Sequence, residues 1–338
     1  MDLRTLRRDE TAAWLELLDG FELPDQWSGR ALFGRPLEGD PRFDPKQVWV
    51  AAEGGELIAT AQVFPRRMRL LGHSVPCGGI GALFTRADRR GAGVAGALLG
   101  RVVEELRGAA VELALTFVPG PDTAAFERNG FARWRQERMV VASSGRPANA
   151  PAAPTALTGD AAGVVDFDAK RDLESVVAIH SGYSASRSGT LVRDKTAWQV
   201  SLVLAGNPDE NFRVALRDGR PVAYLRSTNL VGAPTVLEMA RLDDAADALA
   251  ALVVDAVELC GPGIVLPAFD DLSLTVALEH AGLSCAPSVL EAAMLSCLDA
   301  GALGRRLDVT RLPGEDAPTF LARILPQDAF VFWPADRF

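Results

Sequence analysis

The stretch that decides the fold is "ADRRGAGVAGALL", residues 87–99. Gly91, Gly93 and Gly96 spell G-x-G-x-x-G, and Val94, Leu98, Val102 and Leu106 share one stripe of the helix that follows. Glycines let a backbone pass close to a phosphate. The free N–H groups at a helix start, with the helix dipole behind them, favour its negative charge. A dinucleotide-binding turn needs more: an apolar strand running into the first glycine, and an acidic residue about 20 residues on. Here the strand "GGIGALFT" ends near Thr85, and five residues, "RADRR", separate it from Gly91. At the place for the acidic residue stand Thr116 and Phe117. The dinucleotide reading fails on context. What remains is a strand, a short basic turn, and R-x-x-G-x-A (Arg90, Gly93, Ala95) opening a helix.

The surrounding chain alternates strands and helices. "TAAWLELLDGF" places Trp14, Leu17, Leu18 and Phe21 on one helical face. Residues 20–47 are rich in Gly and Pro and read as loop or broken helix. "VWVAAEGGELIATAQV" predicts a hairpin turning at Gly54-Gly55, "RMRLLG" a further strand, "VELALTF" another, and "DTAAFERNGF" a short helix and turn. A Pro/Ala-rich stretch, residues 143–160, predicts a linker. A faint repeat follows. "FRVALRDGRPVAYLRS" aligns without gaps on "VWVAAEGGELIATAQV", 164 residues earlier, and "ALEHAGL" on "AFERNGF". Two matches in the same order predict one α/β fold used twice.

Composition bounds the function. The 338 residues carry a net charge of −9 and are 48% hydrophobic, an ordinary globular balance long enough for two domains. No apolar run reaches membrane-spanning length, and "MDLRTLRRDETAAW" lacks the apolar core of a signal peptide. The four cysteines form no C-x-x-C and the three histidines are scattered, so no metal site is expected, and the chain reads as reduced and cytoplasmic. Residues 1–150 hold 20 Lys and Arg against 19 Asp and Glu; the rest hold 15 against 25. No basic stripe interleaved with aromatics appears, which argues against nucleic acid. The acidic second half either favours a cationic partner or is a solvated surface.

The turn at Arg90–Gly96 resembles the acetyl-CoA signature of the GNAT acetyltransferases. The lead-in Val75-Pro76-Cys77-Gly78-Gly79-Ile80, the later "AFERNGF", and "GYSASRSGTLVRDKTAWQVSLVL" resemble one branch, the enhanced-intracellular-survival type of tandem GNAT protein. The resemblance spans about residues 1–297, with its densest motifs in 66–131. It implies two tandem GNAT-like α/β (α+β) domains, each with a mixed central sheet flanked by helices: 1–142, a linker 143–160, a degenerate second domain 161–297, and a tail 298–338. The tail is too short for the sterol-carrier-like third domain of that branch, so a trimmed version is expected. By the same resemblance, backbone groups of Arg90, Gly91, Ala92, Gly93, Val94, Ala95 and Gly96 would hold the pyrophosphate of acetyl-CoA. Leu83, Phe84 and Thr85 would hold its pantetheine arm, and Asp122 joins this cofactor-binding set. In the second repeat, "ARLDDAADALAALVV" puts Asp243, Asp244 and Asp247 where the basic turn would be, and three carboxylates repel a pyrophosphate. Only the first domain is expected to bind CoA.

The chemistry so implied is transfer of an acetyl group to a primary amine of a cationic small molecule or a lysine side chain, with no metal, nucleic acid or membrane. A homo-oligomer is compatible with the sequence. An alkyl ammonium has a pKa near 10.4 and no lone pair, so a base is needed. In the resembled branch the chain's own C-terminal carboxylate reaches the first site, which implies Phe338 as the base. The apolar ending "AFVFWPADRF" also reads as a final strand through Phe330, Phe332 and Trp333. The tyrosine that donates a proton to the leaving sulfur in the family's "Y-x-x-x-G-F" is Phe126 here. That departure leaves open a second class of function, a non-catalytic acyl-CoA-binding sensor or scaffold. His73 reads as a solvated turn residue and Cys77 as a small packing residue beside the cofactor strand.

Overall fold

The computed structural model describes every residue except 22–28, 119, 121–122, 144–162, 205–209, 230–232, 262, 269–270 and 337–338. The expected linker, apart from Ser143, thus lies outside the described residues, as do Asp122 and Phe338. The first half opens with β1 (Asp2–Thr5), α1 (Thr11–Asp19), α2 (Gly29–Phe33) and α3 (Arg35–Gly39). It continues with β2 (Val48–Glu53), β3 (Glu56–Leu70), β4 (His73–Thr85), α4 (Val94–Gly108), β5 (Leu113–Phe117), α5 (Ala124–Arg128) and β6 (Ala132–Ser143). The second half opens with β7 (Gly163–Asp166), α6 (Ala169–Ala185) and α7 (Lys195–Leu204). It repeats the same alternation in β8 (Glu210–Arg217), β9 (Arg220–Thr228), β10 (Thr235–Arg241), α8 (Ala246–Cys260), β11 (Gly263–Leu266), α9 (Leu272–His280) and β12 (Leu283–Cys297). Two helices close the chain, α10 (Ala300–Leu307) and α11 (Ala317–Ile324).

Local chemistry explains these elements. The β2–β3 turn has Gly54 at φ 60° and Gly55 at φ 90°. Two successive positive φ values make the tight turn whose twist matches the flanking strands. The matching turn of the second half, Asp218-Gly219, has the same handedness. "RMRLLG" is not a separate strand. It is the far end of β3, which runs 15 residues because it pairs with β4 as far as its end, from Ala59↔Thr85 to Leu70↔His73. α4 buries Val94, Leu98, Leu99, Val102, Val103 and Leu106 against the sheet, a broader form of the predicted stripe. On the other face, α1 buries Trp14, whose Nε1 donates to Thr60 Oγ1 at 3.0 Å. Among the described residues no helix is long and apolar enough to cross a membrane.

The strands form one sheet, in the order β1-β2-β3-β4-β5-β12-β6-β11-β10-β9-β8-β7. The halves have exchanged their last strands. β12 ends the second repeat but pairs with β5, from Ala293↔Phe117 to Cys297↔Leu113. β6 ends the first repeat but pairs with β11, from Gly263↔Ala142 to Leu266↔Met139. Between them, β6 and β12 run antiparallel from Leu283↔Ser143 to Leu295↔Ala132. Side chains follow the exchange: Met139 and Val141 join the core of the second half, and Ala293 and Leu295 a core of the first.

The aromatic tail is anchored by burial rather than as a sheet strand. Phe330, Phe332 and Trp333 are buried, yet only Phe330 makes an isolated bridge, to Ser188. Phe330 and Phe332 enter a core with β3, β4 and β12, while Val331 and Trp333 enter the core of the second half. Alternation along an extended segment (period two) thus stitches two cores together. Gln136 Nε2 donates to Phe332 O at 2.9 Å and Trp333 Nε1 to Ser184 Oγ at 3.1 Å, which satisfies polar groups along the path.

A fragment ending at Ser143 lacks β12 and leaves β5 and β6 with open edges. It is expected to aggregate or stay unfolded, as read by circular dichroism and size exclusion. A soluble, monomeric, cooperatively unfolding fragment would contradict the exchange.

Candidate active site

β4 and β5 pair in parallel from Cys77↔Leu113 only as far as Ile80↔Thr116. Beyond that point β4 bends away. Thr60 of β3 pairs with Phe84 and Gln62 with Gly81, so β4 carries one extra residue between them, a bulge. Ala82 sits in the bulge at φ 50° and is buried. A non-glycine residue held there costs on the order of 1 kcal/mol. The β4 edge past Ile80 thus has no strand partner among the described residues, and opens a crevice between β4 and β5. Leu83, Phe84 and Thr85 lie on this splayed part. Leu83 packs toward α4, and Phe84 stacks on Phe21 on the opposite face, at 5.1 Å between ring centroids. Thr85 O accepts from Arg90 Nε at 3.2 Å.

The glycine turn follows directly. Gly91 and Gly93 have φ 81° and 78°, and Gly93 caps α4 with no side chain. Ala97 N bonds to Gly93 O at 3.1 Å, so the amides of Val94, Ala95 and Gly96 have no acceptor within the helix. Gly91, Ala92 and Gly93 are exposed, and a Cβ built on either glycine meets nothing within 4 Å. The turn is a shallow open cradle of N–H donors. Its basic residues are less free than the sequence suggests. Arg86 pairs with Asp88 and Glu56, Arg89 with Glu53, and Arg90 lies 5.6 Å from the Phe84 ring centroid.

Behind the turn, Asn129 Nδ2 donates to Gly96 O at 3.2 Å and Ala125 O at 2.8 Å, fastening α5 to the first turn of α4. Phe126 is 6% exposed and packs edge-on to Phe131 at 5.6 Å, within the core that α4 covers. It supports the turn and offers no O–H.

A cavity of about 590 Å³ lies between the two halves. Gln62, Phe64 and Arg66 of β3 form one wall, Arg193 and Arg226 another, and Asp336 of the tail a third. Gln62 stands opposite Gly81, so the cavity begins one strand away from the crevice. A chain of charges runs along its second-half side. Arg226 Nε donates to Glu210 at 2.6 Å and Nη1 to Glu238 at 3.3 Å. Arg193 Nη2 donates to Glu238, and its Nε to Asp336 Oδ1 at 2.7 Å. All five side chains are at most 10% exposed. Burial alone would push the Glu238 carboxyl up, but the two guanidinium groups outweigh it and hold it at about 2. For Asp336 burial wins: its carboxyl is raised above the usual range, although Arg193 pulls the other way. Asp336 Oδ2, Arg193 Nη1 and Gln62 Oε1 are buried without a hydrogen-bond partner among the described residues.

Neither Gln62 nor any member of the charge chain was singled out by sequence reasoning. Asp336 stands two residues before the C-terminal Phe338, the expected base, which lies outside the described residues. The other expected site residues fall into two places: Leu83–Thr85 on the splayed strand, and Arg90–Gly96 on the turn beside it. Cys77 is buried, which pushes its thiol up to about 12, so it packs rather than reacts. His73 is exposed at the start of β4, next to the β3–β4 turn.

The family model described as the acetyltransferase (GNAT) domain matches residues 2–132. That part of the chain is a GNAT acetyltransferase domain. The GNAT fold extends over both halves. Eis1 from Mycobacterium abscessus is 17% identical, with TM-score 0.63 over 97% of this chain and 82% of its own. A GCN5-related N-acetyltransferase from Kribbella flavida is also 17% identical, with TM-score 0.65 over 89% and 72%. N-myristoyltransferase of Saccharomyces cerevisiae, solved with bound myristoyl-CoA, is 13% identical, with TM-score 0.53 over 88% and 78%. No curated protein matches by sequence. The second GNAT-like half has no glycine cradle. At the corresponding helix start, Arg217 bonds Asp244 and Asp247, and Arg241 donates to the Asp243 carbonyl.

Two outcomes test this geometry. Gly93→Asp introduces a carboxylate and a strained backbone at the α4 cap; calorimetric titration is expected to show CoA affinity at least tenfold weaker, and unchanged affinity would contradict the assignment. Glu238→Gln breaks a buried pair and is expected to lower stability at pH 7 by about 3–5 kcal/mol. Because the Glu238 pKa is lowered on folding, its contribution is complete above about 4.5 and is lost as pH falls toward about 2. Urea unfolding should show the two proteins converging over that window; a gap undiminished between pH 5 and pH 2.5 would contradict the charge network.

Proposed function

We propose that the protein is an N-acyltransferase that moves an acetyl group from acetyl-CoA to a primary amine, of a small molecule or a lysine side chain. The observation that carries this reading is the union of the splayed β4–β5 crevice, the open N–H cradle at α4, and a cavity that starts one strand away at Gln62. The cradle suits a pyrophosphate, because three helix-start amides lack acceptors and no side chain crowds them. The free β4 edge at Leu83–Thr85 suits an extended amide-bearing arm, which pairs as a strand would. Val94, Ala95 and Gly96 would hold the phosphates, with Arg90 at the rim. The second half would shape the acceptor side.

In the reaction the amine nitrogen bonds to the thioester carbonyl carbon, the C–S bond breaks, and the amine's proton must be removed. A β4 backbone N–H near Phe84 or Thr85 would stabilise the carbonyl oxygen as charge develops on it. Asp336 supplies a carboxylate whose Oδ2 has no partner and whose raised pKa suits a proton acceptor. Phe126 donates nothing, so the sulfur leaves as thiolate, which a thiol pKa near 8.5 permits. The same Phe126 favours the second reading, an acyl-CoA-binding sensor without turnover.

A free-thiol assay against a panel of amines, run on a protein shown to bind acetyl-CoA, separates the two. Release of thiol that depends on an amine is expected; binding without release on any amine would leave the sensor. Asp336→Asn is expected to lower kcat by about 100-fold or more. Activity should fall in the unaltered protein as pH drops through the raised Asp336 pKa, and that acid limb should vanish in the variant. An unchanged kcat would remove Asp336 from the chemistry.

A further inference from the structure

Gln62 is 1% exposed, and its Oε1 has no hydrogen-bond partner among the described residues. Its surroundings explain why. Its same-face neighbours along β3 are Thr60 and Phe64. The Thr60 hydroxyl already accepts from Trp14 Nε1, and Phe64 offers only a ring. Across the sheet Gln62 stands between Val48 of β2 and Gly81 of β4, an apolar side chain and no side chain at all. Gln136, also buried, shows the contrast of an amide with a structural role: its Nε2 donates to Pro267 O at 2.5 Å and to Phe332 O at 2.9 Å. A methionine would fill the Gln62 position with similar volume and without an unpaired oxygen. The fold alone gives no reason for an amide there.

The position gives one. Gln62 lines the cavity, and its pairing with Gly81 sets it at the bulge where β4 leaves β5. On the acyl-transfer reading this is where the thioester meets the acceptor. A carboxamide is neutral, so it takes no proton; it recognises a hydrogen-bonding group in contact. The hydrogens of the acceptor then decide. A neutral primary amine carries two N–H groups. As the N–C bond forms and the C–S bond breaks, one hydrogen goes to the base and the other stays on nitrogen in the amide product. The attacking nitrogen gains positive character, so the N–H that stays is a stronger donor in the transition state than in the free amine. A secondary amine or an alcohol has one such hydrogen, the one that leaves, and nothing remains for Oε1.

We infer that Gln62 is the residue that selects primary amines, its Oε1 accepting the N–H that the product keeps. The inference rests on the acyl-transfer reading of the same cavity and deepens it, because it assigns the choice against secondary amines and alcohols to one side chain. An acceptor that leaves Oε1 unpaired in a closed site is penalised for the missing bond, beyond any misfit of shape.

n-Hexylamine and 1,5-diaminopentane, each beside its N-methyl derivative, serve as probes in the free-thiol assay on the full-length protein and on Gln62→Met. The variant is expected to melt at the same temperature or higher, since it loses an unpaired buried oxygen and little volume. Its kcat for the primary amines should fall about tenfold or more with KM within about threefold, because the lost bond is strongest in the transition state. The unaltered protein should prefer each primary amine to its N-methyl derivative by at least tenfold in kcat/KM, and that preference should shrink about tenfold in Gln62→Met. A preference that is only steric would persist in the variant. A lower melting temperature, an unchanged kcat or an unchanged preference would each overturn the inference while leaving acyl transfer in place. Silence of the unaltered protein with both primary probes would also overturn it, and silence with the whole amine panel would overturn the acyl-transfer reading as well.

Discussion

The antiparallel pairing of β6 with β12 is the constraint on which the rest of the molecule depends. Each of these strands ends one repeat and completes the sheet of the other. Two separate sheets would leave two edges exposed, and edges cost specificity even where they do not cost stability. The exchange removes both and makes the halves one body. It also sets the distance between them, because backbone hydrogen bonds admit only discrete registers. A slip by one residue would turn Met139 and Val141 away from the second core, and each such side chain contributes about 1.5–3 kcal/mol.

The cavity inherits that rigidity. Its walls come from β3 in the first half, from Arg193 and Arg226 in the second, and from Asp336 in the tail. The tail holds its place by sending alternate side chains into two cores, so Asp336 sits at the end of a fixed segment rather than a loose one. Five charges are then buried along one side. Ions taken out of water are costly unless partners and hydrogen bonds replace the lost hydration. Glu238 is fully compensated by two arginines, and its carboxyl drops to about 2. Asp336 is compensated on one oxygen only. The difference between two buried carboxylates, both bonded to Arg193, separates a structural role for Glu238 from the chemical one proposed for Asp336.

Much of this was legible in the sequence, and the reasons are specific. The glycine turn is legible because left-handed backbone selects glycine, and Gly91 and Gly93 do adopt it. The α4 stripe and the Gly54-Gly55 hairpin are legible because side-chain period and turn handedness are local. The repeat is legible because matching elements keep matching patterns. The exchange of β6 and β12 is not, since strand partners are chosen through backbone groups that every residue shares. The charged side of the cavity is hidden for the same reason. Gln62, Arg193, Glu238 and Asp336 come from four distant segments, and only the folded chain brings them together. Phe126 was visible as a departure from the family pattern, and the structure gives it a packing role behind the α4 turn.

The central claim is that one crevice, in the first half, serves both the cradle at α4 and the cavity at Gln62. A crystal structure of the protein grown with CoA tests it most directly. The account predicts one CoA per chain, its pyrophosphate on the amides of Val94–Gly96 and its sulfur beside Gly81 and Ala82, facing Gln62. CoA bound instead at the α8 start of the second half, or lying outside the β4–β5 crevice, would contradict it.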